Sequence, residues 1–331
     1  MSDRARFVVS RSAQALLVIA LSYTLVFFTL FVLPGNPIEN KLTNPQNPLP
    51  PEAEGPLLEY YNLDKGPIEQ FLISVSRLLH GDLGYSLING KPVSELIGQG
   101  IANTAPLAAL ALLFTAIISL SVALTAVFGP KSLRGFARLL PLVFLSTPSF
   151  LVGFLLLLVF SFQLGWISSI RDEGFVSLIL PALTLAIGVN APVTQVLITG
   201  LDRAAGEPFV TVLRSRGASE QAIIGGHLLK NGSIPAITLL ALTVGDLVAS
   251  TVVVETVFSR TGIGFITQQA VRDQDTPVIL AVVVLVSATF VIINLAADLV
   301  YPLLDPRITY TTRRSRARAA RRVRTEIEAF A

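Results

Sequence analysis

The sequence predicts an all-α polytopic membrane protein with six transmembrane helices, and three observations predict it. Of 331 residues, 52% are hydrophobic and only 14% charged, against an ordinary charged share of about a quarter. The deficit is concentrated in stretches with no Asp, Glu, Lys or Arg: residues 12–33, 101–130, 139–170, 174–201 and 276–297, with a sixth, 231–254, interrupted only by Asp246. Each exceeds the roughly 20 apolar residues that cross a bilayer as a helix. Lys and Arg are also uneven between alternate loops. The N-terminus, the loops after spans 2 and 4 and the C-terminal tail carry 18 of them; the other side carries 7. Because cytoplasmic loops are the Lys/Arg-rich ones, both termini are expected to be cytoplasmic.

Residues 1–11 form a cytoplasmic N-terminus and 12–33 the first span. Its 22 uncharged residues exceed the apolar core of a signal peptide, and no small-x-small cleavage site immediately precedes Pro34, so it reads as a retained span. Residues 34–100 form the long extracytoplasmic loop. LPGNP opens it, and Pro45, Pro48, Pro50, Pro51 and Pro56 keep its first half extended. Ile68, Phe71, Leu72, Val75, Leu78 and Leu79 recur at helical spacing, which predicts an amphipathic helix over 67–79. A second short helix over 93–99 leads into span 2. The loop either receives a soluble partner, caps a pore or lies on the bilayer.

Span 3 contains Pro141 and Pro148, and span 4 contains Pro181 and Pro192. Proline removes a backbone donor, which membrane helices tolerate where neighbours satisfy the freed carbonyl. Span 5 is unusual. Ala241, Gly245 and Ala249 form a small-xxx-small helix-packing seam. Thr243, Asp246 and Ser250, at i, i+3 and i+7, form a polar stripe beside it. A charge near the bilayer centre costs about 2.5–3.5 kcal/mol on insertion scales, so Asp246 calls for a cavity or a partner. These three are the candidate translocation-path residues. Glu255 is expected at the outer interface, capping or pairing with Arg260. The Arg-rich tail, 309–331, suits anionic lipid headgroups, with a partner or RNA contact as the alternative; the net charge of +3 arises there and is no nucleic-acid signal.

Much chemistry is excluded. Zero Cys removes disulfides, thiolate metal sites and cysteine nucleophiles. No phosphate-binding G-x-x-x-x-G-K-[ST] occurs; Gly84 with Gly90-Lys91 is one residue too widely spaced, and Pro92 replaces the hydroxyl residue. Neither G-x-S-x-G nor H-E-x-x-H is present, and the two histidines, His80 and His227, fall on opposite sides of the membrane. One enzyme reading stays open: an intramembrane aspartyl protease whose carboxylates would be Asp246 and Asp298. Thr243-Val244-Gly245-Asp246 lacks the first glycine of that family's G-x-G-D pattern.

Between spans 4 and 5, residues 202–230 build a cytoplasmic knob. Glu207-Pro208 starts a helix, with Phe209, Val212, Leu213 and Arg216 on one face. Gly217 ends it in the left-handed conformation. Ser219 caps a second helix, with Glu220 in its first turn and Ile223, Ile224, His227 and Leu228 on one side. Either this knob rests on lipid or it docks a cytoplasmic partner.

The stretch FVTVLRSRGASEQAIIGGHLLKNGSIPAITLL resembles the coupling loop of ABC importer permeases of the dipeptide/oligopeptide/nickel branch. LPGNP after span 1, LHGDLGYSLINGKPVSELI at the end of the outer loop, STPSFLVGFLLLLVF in span 3, ILPALTL in span 4, and VVVETVFSRTGIG and YPLLDPRI after spans 5 and 6 agree with it in order and spacing. The resemblance implies a type I importer permease fold, with a core over 101–308, in a bacterial inner membrane. Thr211, Val212 and Leu213 stand where the family has its E-A-A triplet, so the triplet itself departs; Gly217 matches the family glycine, and His227 and Lys230 replace an I-x-L-P pattern. The resemblance implies that the knob inserts into a groove of an ATPase, with Arg214, Arg216, Ala218, Ser219 and Lys230 part of the contact. It also implies a second homologous permease, two ABC ATPase subunits (or one fused pair) that bind the ATP and Mg, and an extracytoplasmic substrate-binding protein. The chain itself would bind no cofactor, metal or nucleic acid. Peptides are the expected solute; nickel, a metal chelate or a siderophore is the alternative.

Overall fold

The computed structural model describes residues 3–31, 60, 65–167 and 174–304. The LPGNP segment, the proline-rich half of the outer loop and the Arg-rich tail lie outside the described residues. Helix α1 (Asp3–Phe31) is followed by α2 (Pro67–Leu79) and the long α3 (Val93–Phe128). Next come α4 (Lys131–Ser146) and α5 (Ser149–Leu156), the latter continuing as a π helix over Leu157–Gln163. A 3-10 turn, Gly174–Leu178, leads into α6 (Ile179–Ala205). The knob contains α7 (Pro208–Ser215), α8 (Glu220–Ile223), a π turn over Ile224–Leu228 and α9 (Leu229–Gly232). Helices α10 (Ile234–Val257), α11 (Ile263–Arg272) and α12 (Thr276–Leu304) complete the described fold. Among the described residues five helices are long and apolar enough to cross a membrane, and the bent α4–α5 pair makes a sixth crossing if counted as one.

Three expectations need correction. Span 3 is not one straight helix over 139–170: α4 and α5 meet at 106°. Pro148 has no N–H to continue the ladder and drives Thr147 out of the helical region, to φ −97 and ψ 117. The short helix expected over 93–99 is not separate either. It is the first two turns of α3, whose 36 residues extend about 54 Å, well beyond the roughly 30 Å hydrocarbon core. Pro181, expected to cost span 4 a donor, falls in the first turn of α6, where no intrahelical bond is owed; Pro192 alone interrupts that helix.

Helix α6 is the centre of the bundle, packed against α3, α4, α5 and α10. Leu107, Ala111, Ala182, Leu185 and Leu247 are fully buried where α3, α6 and α10 meet. A buried polar cluster ties α3 to α6. The Asn190 amide donates to the Thr115 carbonyl at 3.1 Å and to Ser119 Oγ at 3.0 Å, while Thr194 Oγ1 donates to Asn190 Oδ1 and accepts from the Ser119 hydroxyl at 3.1 Å. Helix α1 lies outside this core against α12, where Tyr23 and Phe27 pack with Phe71, Val75 and Leu78 of α2 and with Leu280. Of the expected apolar face of α2, Ile68, Leu72 and Leu79 remain exposed.

At the end of the bundle that carries α2, residues 84–93 fold as a tight hairpin. Tyr85 bridges Pro92, Ser86 N–H donates to the Lys91 carbonyl at 2.9 Å, and Gly90 takes a positive φ of 67°. Ser86 Oγ and Leu87 N–H both donate to the buried Asp275 carboxylate, at 2.5 and 3.1 Å. Glu255 is fully buried and caps α11: its Oε2 accepts from Phe265 N–H at 3.1 Å and its Oε1 from Thr104 Oγ1 of α3 at 2.6 Å. Thr104 Oγ1 accepts in turn from Ile263 N–H at 2.8 Å. Glu255 thus caps, as expected, but the helix it caps is α11, and its side-chain partners are Thr104 and a backbone amide; Arg260 Nη1 donates to Ser177 at 3.0 Å.

At the opposite end α6 touches α9 backbone to backbone. A Cβ on Gly200 would lie 2.1 Å from the Gly232 carbonyl oxygen. Gly200→Ala is therefore expected to cost about 1–3 kcal/mol of stability through overpacking. Gly135→Ala in α4, where a Cβ meets nothing within 4 Å, is expected to be neutral or stabilising by up to about 1 kcal/mol. Thermal unfolding of the two variants in detergent checks the difference; identical melting temperatures would contradict the close contact.

Candidate functional site

The knob grows from the end of α6. Glu207 is extended at φ −72 and ψ 143, and Pro208 occupies the first turn of α7, where proline removes no owed hydrogen bond. Helix α7 ends in a complete Schellman motif. Gly217 has φ +79, its N–H donates to the Arg214 carbonyl at 3.0 Å, and Ala218 N–H reaches back to the Leu213 carbonyl at 3.1 Å. Ser219 then caps α8, its Oγ accepting from Ala222 N–H at 3.3 Å. These local features stand where the sequence places them.

The face that packs differs from the expected one. Val210, not Val212, is buried, together with Ala204, Ile223 and Leu228; Phe209, Leu213, Ala218, Ile224 and Phe128 from the end of α3 close around them. Val212 stays 49% exposed, and so do Thr211, Arg216, His227 and Lys230. The register explains it. Phe209, Val210 and Leu213 make an i, i+1, i+4 stripe toward α6; Val212 and Arg216, at i+3 and i+7 from Phe209, flank its outer edge, and Thr211 lies on the far side. In the following segment the π turn sets Leu228 over Ile223 and leaves His227 outside, 6.3 Å from the Phe209 ring.

Arg214 also has a partner within the chain. Its guanidinium forms a two-point pair with Glu220, Nε to Oε1 at 2.7 Å and Nη2 to Oε2 at 3.1 Å, so it braces the Gly217 turn within the chain. That contact holds the Glu220 carboxyl below its ordinary range. A second two-point pair, Arg138 to Asp202 at 2.8 and 2.9 Å, ties α4 to α6 where the knob begins. Sequence reasoning missed Asp202, Gly200 and Gly232. Nothing in their local pattern announces a partner 64 or 32 positions away.

The polar stripe of α10 is divided. Asp246 is exposed on this chain and Ser250 is half-buried. Thr243 is 2% exposed, and its hydroxyl returns to the Leu240 carbonyl of its own helix at 2.7 Å, so it faces no open path in this chain. In the small-residue seam Gly245 meets α12, where a Cβ would come 3.1 Å from the Phe290 ring; Ala241 is half-buried and Ala249 exposed.

Residues 117–310 match the family of binding-protein-dependent transport system inner membrane components. The glutathione transport system permease protein GsiC of Escherichia coli K12 is 30% identical over 291 residues, spanning 86% of this chain and 93% of that one. GsiC of Salmonella typhimurium LT2 matches at the same identity and coverage. Among solved structures, the MetNI methionine ABC transporter in inward-facing conformations superposes with a TM-score of 0.51 at 18% identity, over 63% of this chain and 96% of that chain, and so shares the fold. These relatives are transport components, which sets aside the protease reading of Asp246 and Asp298. The exposed knob, the bundle of apolar helices beneath it and the family match lead to one assignment: the chain belongs to the binding-protein-dependent inner membrane components and is a permease subunit of a bacterial inner-membrane ABC importer of the dipeptide/oligopeptide family, working with ATPase partners that bind the ATP and with a substrate-binding protein.

Proposed function

We propose that this chain forms half of a translocation path for peptides and is driven through the knob at residues 202–230. The observation that carries this reading is the construction of the knob. Its apolar side is sealed onto α6 and α3, and its Thr211, Val212, Arg216 and Lys230 side is left free. A rigid element with one free face is what force transmission to a helix bundle needs, since a flexible loop would absorb the displacement. The Lys/Arg distribution supports a cytoplasmic knob and cytoplasmic termini. The second half of the path is a homologous permease, and two ABC ATPases, or one fused pair, bind the ATP and Mg and receive the two knobs. Cations on the free face set the register of the contact.

The glutathione named for the relatives supports a peptide-like solute. Nickel, a metal chelate or a siderophore carried by the same architecture is the second reading. Within the membrane, Asp246 and Ser250 are the residues of this chain assigned to the path; a carboxylate exposed on a spanning helix requires water or a polar partner beside it.

Three experiments test the reading. Reconstituted in liposomes with its ATPases, second permease and binding protein, the chain is expected to support ATP-dependent uptake of labelled glutathione or dipeptide; uptake by the chain alone would overturn the reading. Gly217→Val forces left-handed strain of roughly 1–2 kcal/mol into a turn whose surroundings have room for the side chain. The variant is expected to assemble and hydrolyse ATP while losing uptake, and normal uptake would contradict the lever. Because the chain has no native Cys, Asp246→Cys and Ser250→Cys can be probed singly with water-soluble thiol reagents. Both are expected to react in at least one nucleotide state and Thr243→Cys in none; silence at position 246 in every state would remove it from the path.

A further inference from the structure

Helix α11 has only ten residues, about 15 Å of helix, so it cannot cross a bilayer. It is amphipathic, with Ile263, Gly264 and Ala270 buried and Gln269, Val271 and Arg272 exposed. Its inner side packs on Val93 and Ile97 of α3 and on Val278, Ala281 and Val282 of α12. What distinguishes it is the way its two ends are held. Each is fixed by a buried carboxylate that also holds a second part of the chain.

At its N-terminus, Glu255 of α10 accepts from the Phe265 amide and from Thr104 of α3. The fit admits no side chain between them: a Cβ on Gly262 would lie 2.1 Å from Glu255 Oε1 and 2.4 Å from Thr104 Oγ1. Beyond its C-terminus, Asp275 N–H donates to the Ala270 carbonyl at 2.8 Å. The Asp275 carboxylate, 3% exposed, accepts from Ser86 and Leu87 of the hairpin. That hairpin is anchored by two buried residues, Ser86 and Leu87, while Tyr85, Ile88, Asn89, Gly90 and Lys91 are exposed around them. A body pressing on the exposed side therefore moves Asp275 directly. From Glu255, α10 runs about 31 Å back to Ile234, and the residue two before it, Gly232, is the one in backbone contact with Gly200 beside the knob.

We propose that Asp275 and Glu255 are positioning residues that carry a displacement of hairpin 85–92 through α11 to α10, and so connect the docking of the solute-loaded binding protein on one face with the ATPase-facing knob on the other. The proposal rests on the importer reading above and adds the route. Each carboxylate works as a two-armed joint. Removing one arm leaves both helices folded but lets one element move without the other.

The test uses the complete importer in proteoliposomes and compares ATPase activity without binding protein, with saturating solute-loaded binding protein, and alongside solute uptake. Thr104→Val removes the hydroxyl with little change of shape, Thr104→Ser retains it, and Asp275→Asn and Ser86→Ala weaken the other joint. In Thr104→Val and Asp275→Asn the binding-protein-stimulated ATPase and uptake are expected to fall at least about fivefold, the lower edge of ordinary coupling between sites. ATPase activity without binding protein and the yield of assembled complex are expected to stay at wild-type levels, and Thr104→Ser is expected to restore stimulation. Full stimulation in both Thr104→Val and Asp275→Asn overturns the relay. So does a parallel loss of the unstimulated rate, which marks a merely structural role, or full recovery at higher binding-protein concentration, which reduces the hairpin to a docking contact. A wild-type complex that neither hydrolyses ATP nor takes up solute overturns the importer reading itself, an outcome separate from any failure of the variants.

Discussion

Inside a bilayer no water is available to satisfy a backbone group that leaves its helix, so each departure from helical geometry needs a partner from the protein. The chain leaves its helices within or near the apolar layer at the Thr147-Pro148 break and at the turn over 258–262. At the second, the free amides of α11 find the Glu255 carboxylate and the Thr104 hydroxyl, and Arg260 reaches Ser177 in the 3-10 turn before α6. The same constraint governs the middle of the bundle. Asn190, Ser119, Thr115 and Thr194 satisfy one another across α3 and α6, which makes those two helices one unit.

With α3 and α6 bound as a unit, the structure sorts into a stiff centre and elements hung on it. The knob hangs on the end of α6 by an apolar plug and by the Gly200–Gly232 contact. The bent α4–α5 pair is held to α6 through Arg138 and Asp202. Helix α11 hangs at the other end between two carboxylates. Helix α1 touches chiefly α12, leaving the centre free to move relative to it. A chain so divided needs no catalytic group of its own. Its work is to stay rigid over some distances and to yield at few places, while ATP chemistry belongs to its partners.

Where the sequence could be read, the chemistry was local. Gly217 and Ser219 stand as a left-handed helix end and an N-cap because both roles depend on residues within five positions. The spans were legible because a bilayer demands a long apolar run whatever it packs against. Pro148 was visible as an interruption, yet the 106° bend was not, since a missing N–H ends a helix without stating where the next one points. The polar stripe of α10 shows the same limit. Thr243 and Asp246 are one turn apart on the same polar stripe, but only contact with neighbouring helices separates the buried one from the exposed one.

The amino-acid sequence by itself determined an all-helical membrane chain, its family likeness, the sidedness expected from Lys and Arg, and the helix–glycine–helix build of the knob, because each follows from composition or from near neighbours. Tertiary structure alone decided that Val210 and not Val212 plugs the knob, that Arg214 pairs with Glu220, and that Glu255 and Asp275 hold the ends of α11. Those outcomes turn on groups that meet across 151 and 189 positions as well as on close neighbours choosing a face, and such meetings exist only once the helices have packed.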